Sequence, residues 1–172
     1  VAGYGLFFIR MQEYAVLNSP FFEFDESGCV NTMKATVSWD EGVSFIAESG
    51  TGHKVTMDGP PDLGGQNKGP RPMEMLIMGM GGCASFDVLS MLKKSRQDVQ
   101  SCVAELEAER ADAVPAVFTK IHMNFVVTGH NLKEAQIKRA VSLSAEKYCS
   151  ASIMMEAAGV EVTHSYEVKE SS

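Results

Sequence analysis

A chain of 172 residues, 45% of them hydrophobic, is sized for one domain whose folding would bury about two thirds of the surface its extended form exposes. A net charge of -7, a pI near 5.1 and 15 basic side chains scattered along the sequence leave no positive patch for phosphates, which excludes nucleic acid as an expected partner. Four cysteines are too few for a disulfide scaffold, no secretory signal pattern is read at the start, and the most apolar run, Met73 to Leu92, holds Glu74, Asp87 and three glycines, so a cytoplasmic protein without a membrane span is expected.

Residues 1–32 are aromatic-rich without a sustained period, as in Pro20-Phe-Phe-Glu-Phe24, and are read as a leader or extended start, with Cys29 belonging to it. A single patterned domain then runs over 33–172. Met33, Ala35, Val37 and Trp39 alternate with Lys34, Thr36, Ser38 and Asp40, the period of a half-buried strand. Glu41-Gly42 turns the chain, and Val43 to Ser49 and His53 to Asp58 continue an antiparallel meander across Gly50-Thr51-Gly52. A Gly/Pro-rich loop, Gly59 to Pro70, closes it.

Pro72 suits the first turn of a helix, and Leu76, Met80, Cys83, Ala84 and Val88 recur near 3.6-residue spacing, predicting a long helix to about Arg96. Its glycines at 79, 81 and 82 cost about 1 kcal/mol each relative to Ala, so a second helix pressed against this one is expected. Cys102 to Glu109 and Val117 to Val127 alternate as the strands of a long hairpin, with Cys102, Ala104, Leu106, Ala108, Val117, Thr119, Ile121, Met123, Phe125 and Val127 inward. Lys133 to Tyr148 is amphipathic, with Ile137, Ala140, Val141, Ser144, Ala145 and Tyr148 inward; Ser150 to Ala158 forms a further helix stopped by Gly159, and Val160 to Val168 a last strand, before a solvated end from Lys169. This order is α+β, with helices on one face of antiparallel sheet.

Two thiols stand in unlike settings. Cys83 follows a glycine pair inside the long helix, and is either a buried structural cysteine or a nucleophile if a positive neighbour favours its thiolate. Asp87, one turn on, would when ionised hold that thiol protonated unless a cation such as Arg96, or one from a partner chain, neutralised it. Cys149 lies between two helical pieces, where free amides at the start of the second would stabilise a thiolate, and is either functional or structural. Cys102 reads as core, Glu74 as a partner of the helix dipole or a catalytic acid, and His164 as a core histidine. No Cys-x-x-Cys pair occurs and the four histidines are far apart, so no metal is expected. The eleven methionines are core filler or the lining of an apolar pocket.

The pattern P-x-E-x-L-x-x-x-x-G-G-C-x-x-x-D at Pro72 to Asp87, with Tyr148-Cys149-Ser-x-Ser and the element order from Met33 to about Lys169, resembles the OsmC/Ohr superfamily, and more closely its small YhfA-like branch. The resemblance implies an intertwined homodimer in which sheet wraps two long cysteine-bearing central helices. It also implies thiol-dependent reduction of organic hydroperoxides, with Cys83 attacking, Cys149 resolving and an external thiol rather than a bound cofactor as reductant. Glu74, Asp87 and Arg96 are candidate supporting residues. The peroxidase branches place an activating arginine in the first strands and a glutamate directly after the helix-opening proline. Here no arginine lies between Met33 and Pro70, and the second position is Met73. Weak peroxidase activity is therefore expected, the alternative being a non-catalytic dimer that holds an apolar or thiol-bearing small molecule in a methionine-lined interface pocket.

Overall fold

The structure, a computed structural model, describes residues 32–171. The leader expected over 1–32, Cys29 included, lies outside the described residues apart from Thr32. Strands β1 (Ala35–Trp39), β2 (Phe45–Ser49) and β3 (Lys54–Met57) form the antiparallel meander. Its register aligns Val37, Ala47 and Val55 across the sheet, and likewise Trp39, Phe45 and Met57, so one face is almost wholly apolar. That face was expected to be half-buried, yet every residue of β1 is exposed, Trp39 to 68%. The cause is tertiary: among the described residues the meander makes only isolated contacts with the other elements, and none of them covers it.

The loop after β3 is folded back by Asp58, whose carboxylate accepts the backbone N–H groups of Lys68, Gln66 and Gly59 at 3.0, 2.8 and 2.8 Å. Led by the Lys68 N–H, these donors hold its carboxyl below the usual range despite desolvation. The loop delivers the chain to α1 (Pro72–Lys94), whose first turn is closed by Glu74 Oε2 accepting the Arg71 N–H at 2.8 Å.

The second sheet has the order β4-β5-β6, with β4 (Asp98–Arg110) and β5 (Phe118–His130) antiparallel as expected. A register shift between Glu109 and Arg110 changes the phase at the start of β5, so Phe118 is buried while Val117 and Thr119, expected inward, are exposed. Strand β6 (Glu161–Glu170) corrects a second expectation, since it pairs with β5 in parallel. Helices α2 (Glu134–Leu143) and α3 (Ser150–Ala157) carry the chain back along the sheet between β5 and β6, and such a crossover returns a strand in its original direction. The strand also takes in Lys169 and Glu170, expected as a solvated end.

The core lies between this sheet and the helices. Met80, Ala84, Val88 and Leu92 of α1 meet Ile121, Met123, Phe125 and Val127 of β5 and Ile137 and Val141 of α2. By length and hydropathy α1 could cross a bilayer, but this buried stripe packs it against the protein as a core helix. Its opposite side shows Leu76, Phe86 and Leu89 to solvent. The expected close approach at the glycines is to a strand: a β-carbon on Gly81 would lie 2.7 Å from Leu106 Cδ1 of β4. Gly79 and Gly82 face open space within this chain.

Candidate active site

Three elements converge on the middle of α1. Cys83 and Asp87 lie one turn apart, hence on one side of the helix, and both are partly buried. The third contribution comes from the junction of α2 and α3. An unbroken α-helix through Tyr148 would have turned that ring inward, as expected from the sequence. Instead Ser144–Tyr148 forms a π-helical turn, closed by the Cys149 N–H donating to Ser144 O at 2.9 Å. The additional residue rotates everything after it, leaving Tyr148 45% exposed and Cys149 0% exposed. Ser144 secures the turn to α1, its hydroxyl donating to Ala84 O at 3.1 Å.

The sulfurs of Cys83 and Cys149 and a carboxyl oxygen of Asp87 all lie within 4.8 Å of one another. Both thiols are free. Cys149 Sγ contacts Met80 O at 4.0 Å, a long contact even for a thiol donor. Asp87 Oδ2 is buried without a hydrogen-bond partner, and so is the hydroxyl of Ser152, one turn into α3.

The electrostatics separate the members of the cluster. Burial pushes the Cys149 thiol up; the hydroxyl and N–H of Ser152 act against this, and the neighbouring Cys83 adds to it. The expectation that the start of α3 would stabilise a Cys149 thiolate is thus corrected in its net sign: Cys149 caps α3, but desolvation outweighs the amides. Burial alone lifts Asp87 above the ordinary carboxyl range. Cys102, on the inward side of β4, is also raised by burial and stands apart from the cluster.

The other residues singled out from the sequence are not brought here. Glu74 lies nine positions before Cys83, roughly 13 Å along the axis and on the opposite side of the helix, and its carboxylate is occupied by the Arg71 N–H. Arg96 lies beyond the end of α1 in a left-handed conformation at φ 56, more than three turns from Cys83, so it does not neutralise Asp87. His164 is half-buried on β6 away from the thiols. Two features eluded the sequence reading. The π turn has no residue signature, and Ser152 was visible only as the second serine after Cys149. A groove of about 400 Å³ on the far side of the second sheet is lined by Glu107, Ala108, Glu109, Lys120, His122 and Thr163, with no cysteine or methionine.

Chemically the cluster suits thiol–disulfide exchange. It holds one reachable sulfur, one sulfur shielded from water, and an acid–base group beside both. Among the described residues no histidine or further carboxylate joins it.

Residues 65–165 match the family model described as OsmC-like protein. Protein YhfA of Escherichia coli K12 is 51% identical over 136 residues, which is 79% of this chain and 98% of that protein. A hypothetical protein of Aquifex aeolicus VF5, solved by crystallography, is 28% identical with a TM-score of 0.72, covering 83% of this chain and 100% of its own. An organic hydroperoxide resistance protein OsmC from Legionella pneumophila shares the fold at 18% identity and a TM-score of 0.62, over 81% of this chain and 98% of the other.

Proposed function

The chain belongs to the OsmC-like protein family, and from that premise we propose that it is a cytoplasmic redox protein whose Cys83–Cys149 pair reduces organic hydroperoxides at the expense of an external thiol. The observation that carries the reading is the convergence of two sulfurs, 66 positions apart, within 4.8 Å of each other. A disulfide between them needs only a short approach of the side chains. In the reaction the Cys83 thiolate attacks the peroxide oxygen, the O–O bond breaks, and an alcohol leaves with Cys83 as sulfenic acid. Cys149 then displaces water to form the disulfide, and a dithiol reduces it. Roles follow from access: Cys83 is partly exposed and can meet a peroxide, whereas Cys149 is sealed.

The same reading includes a homodimer. Two apolar surfaces lack a partner among the described residues: the Val37, Trp39 and Phe45 face of the meander, and the Leu76, Phe86 and Leu89 side of α1. A second copy would cover both and exclude water from the thiols. Turnover should be slow. No arginine occurs in the first strands, and Glu74 is turned away to cap its helix, so among the described residues the family's cation and carboxylate pair does not meet the charge developing on peroxide. A single lost donor of that kind costs roughly 3 kcal/mol of transition-state stabilisation.

Consumption of cumene hydroperoxide with dithiothreitol tests the proposal. The parent protein should turn over slowly, Cys83→Ser should lose thiol-dependent consumption, and Cys149→Ser should stop after oxidation of Cys83. Equal rates for the parent and Cys83→Ser would reject catalysis and favour the binding alternative, in which native mass spectrometry of the purified dimer should find a retained apolar ligand.

A further inference from the structure

The resolving step sets a proton problem that the structure answers. Cys149 must lose its proton as it attacks, yet it is 0% exposed, and among the described residues no basic side chain contacts it. Hydroxide leaving Cys83 must gain a proton in the same step. One group stands within 4.8 Å of both sulfurs and can carry that proton, the Asp87 carboxyl, whose Oδ2 is buried and bonded to nothing else.

We propose that Asp87 is the proton relay of the cysteine pair, accepting the Cys149 proton as that sulfur attacks and delivering it to the oxygen departing from Cys83. The proposal rests on the redox reading above. In the step written out, the Cys149 S–H and the Cys83 S–O bonds break, the S–S bond forms, and the electron pair of the S–O bond leaves on hydroxide. Asp87 takes one proton from sulfur, returns it to that hydroxide as water, and ends in its starting state. When an external dithiol opens the disulfide, the relay runs in reverse and returns a proton to Cys149.

The surroundings suit this role. On its own helix Asp87 faces Cys83, and across the packing it faces Cys149. Of the other elements packed on α1, β4 presents Cys102 inward, while Lys138, Arg139, Glu146, Lys147 and Glu156 of the α2–α3 segment are exposed. Among the described residues no cation acts on Asp87; desolvation raises it, which moves a carboxyl toward the thiols it must exchange protons with. A carboxylate kept only for structure would have its oxygens bonded, and here Oδ2 is not.

The test follows disulfide closure in the full-length protein, with intact-mass detection in quenched flow. The oxidant is diamide, an azo compound that needs no peroxide and whose adduct on Cys83 leaves as a hydrazide nitrogen that takes the relayed proton in place of the oxygen. Asp87→Asn should close at least ~10-fold more slowly near neutral pH, accelerate steadily with hydroxide, and converge on the parent in alkali. Asp87→Glu should keep a pH-independent plateau. Superimposable pH profiles for the parent and Asp87→Asn, or one uniform slowing at every pH, would overturn the relay. So would stoichiometric zinc bound by the parent and lost in Asp87→Asn. If the variants do not fold, NMR of the Asp87 carboxyl carbon in the parent decides: its titration should shift when the disulfide forms, and an unchanged titration rejects the role. An Asp87-dependent closure with no peroxide consumption keeps the relay and removes the peroxidase reading. Peroxide turnover with Asp87-independent closure does the opposite.

Discussion

Replacing Gly79 and Gly82 together by alanine separates what α1 does alone from what it does against a partner. Among the described residues a β-carbon at either position meets nothing within 4 Å, so the internal effect there is helix propensity. That is a gain of about 1 kcal/mol per site, about 2 kcal/mol for the pair, worth roughly 4–8 °C in melting temperature at this chain length. If α1 crosses its copy at these glycines, each added methyl enters an occupied space and costs about 1–3 kcal/mol. The double variant is then expected to lose up to ~4 kcal/mol net and to dissociate at concentrations where the parent is dimeric. Thermal unfolding at two protein concentrations, with sedimentation velocity, reads both quantities. Gly81→Ala is the internal control: its clash is with the mobile end of Leu106, so its effect should not depend on concentration. A double variant that melts higher by the full propensity gain with its association unchanged would refute the helix crossing.

Two further outcomes follow from the cluster. Because burial raises Asp87 in the folded state, ionising it opposes folding: the parent should lose stability as pH climbs from about the ordinary value of 3.8 through the raised one. Asp87→Asn should therefore be the more stable protein in urea at neutral pH, with the advantage vanishing at pH values below the ordinary carboxyl range. An advantage independent of pH would contradict the desolvation account. Ser152→Ala should leave stability nearly unchanged, since its hydroxyl makes no well-formed hydrogen bond, yet should raise the Cys149 thiol further by removing a group that favours its thiolate. Alkylation of Cys149 followed against pH under mild denaturant-free conditions would show its inflection moving upward; a downward move would reverse the assigned role.

How much of this was legible beforehand differs from element to element. Alternation located β1 to β6 to within a few residues, and the Pro72 start of α1 was read correctly because a proline without an N–H fits only the first turn. Errors arose where a local pattern was asked a non-local question. Val117 and Thr119 kept their alternation on paper while a register shift at Arg110 reversed it. By contrast Glu74, read first as a partner of the helix dipole, lies in the first turn of α1 with its carboxylate accepting the Arg71 N–H. The alternation of β1 was read as a half-buried strand, and its apolar face is instead exposed because no element among the described residues covers it.

The residues by themselves determined the order of elements, the family resemblance and the two thiols, because periodicity, caps and short motifs act over a few positions and need no knowledge of what lies across the core. Tertiary structure alone decided that Cys83, Asp87 and Cys149 meet, and that the last strand runs parallel to β5. Both depend on how the α2–α3 crossover packs on α1, and on one π turn whose extra residue turns a sulfur, in place of a tyrosine ring, into the interior. Such a rotation is set by the summed packing of a buried surface, which no window of sequence contains.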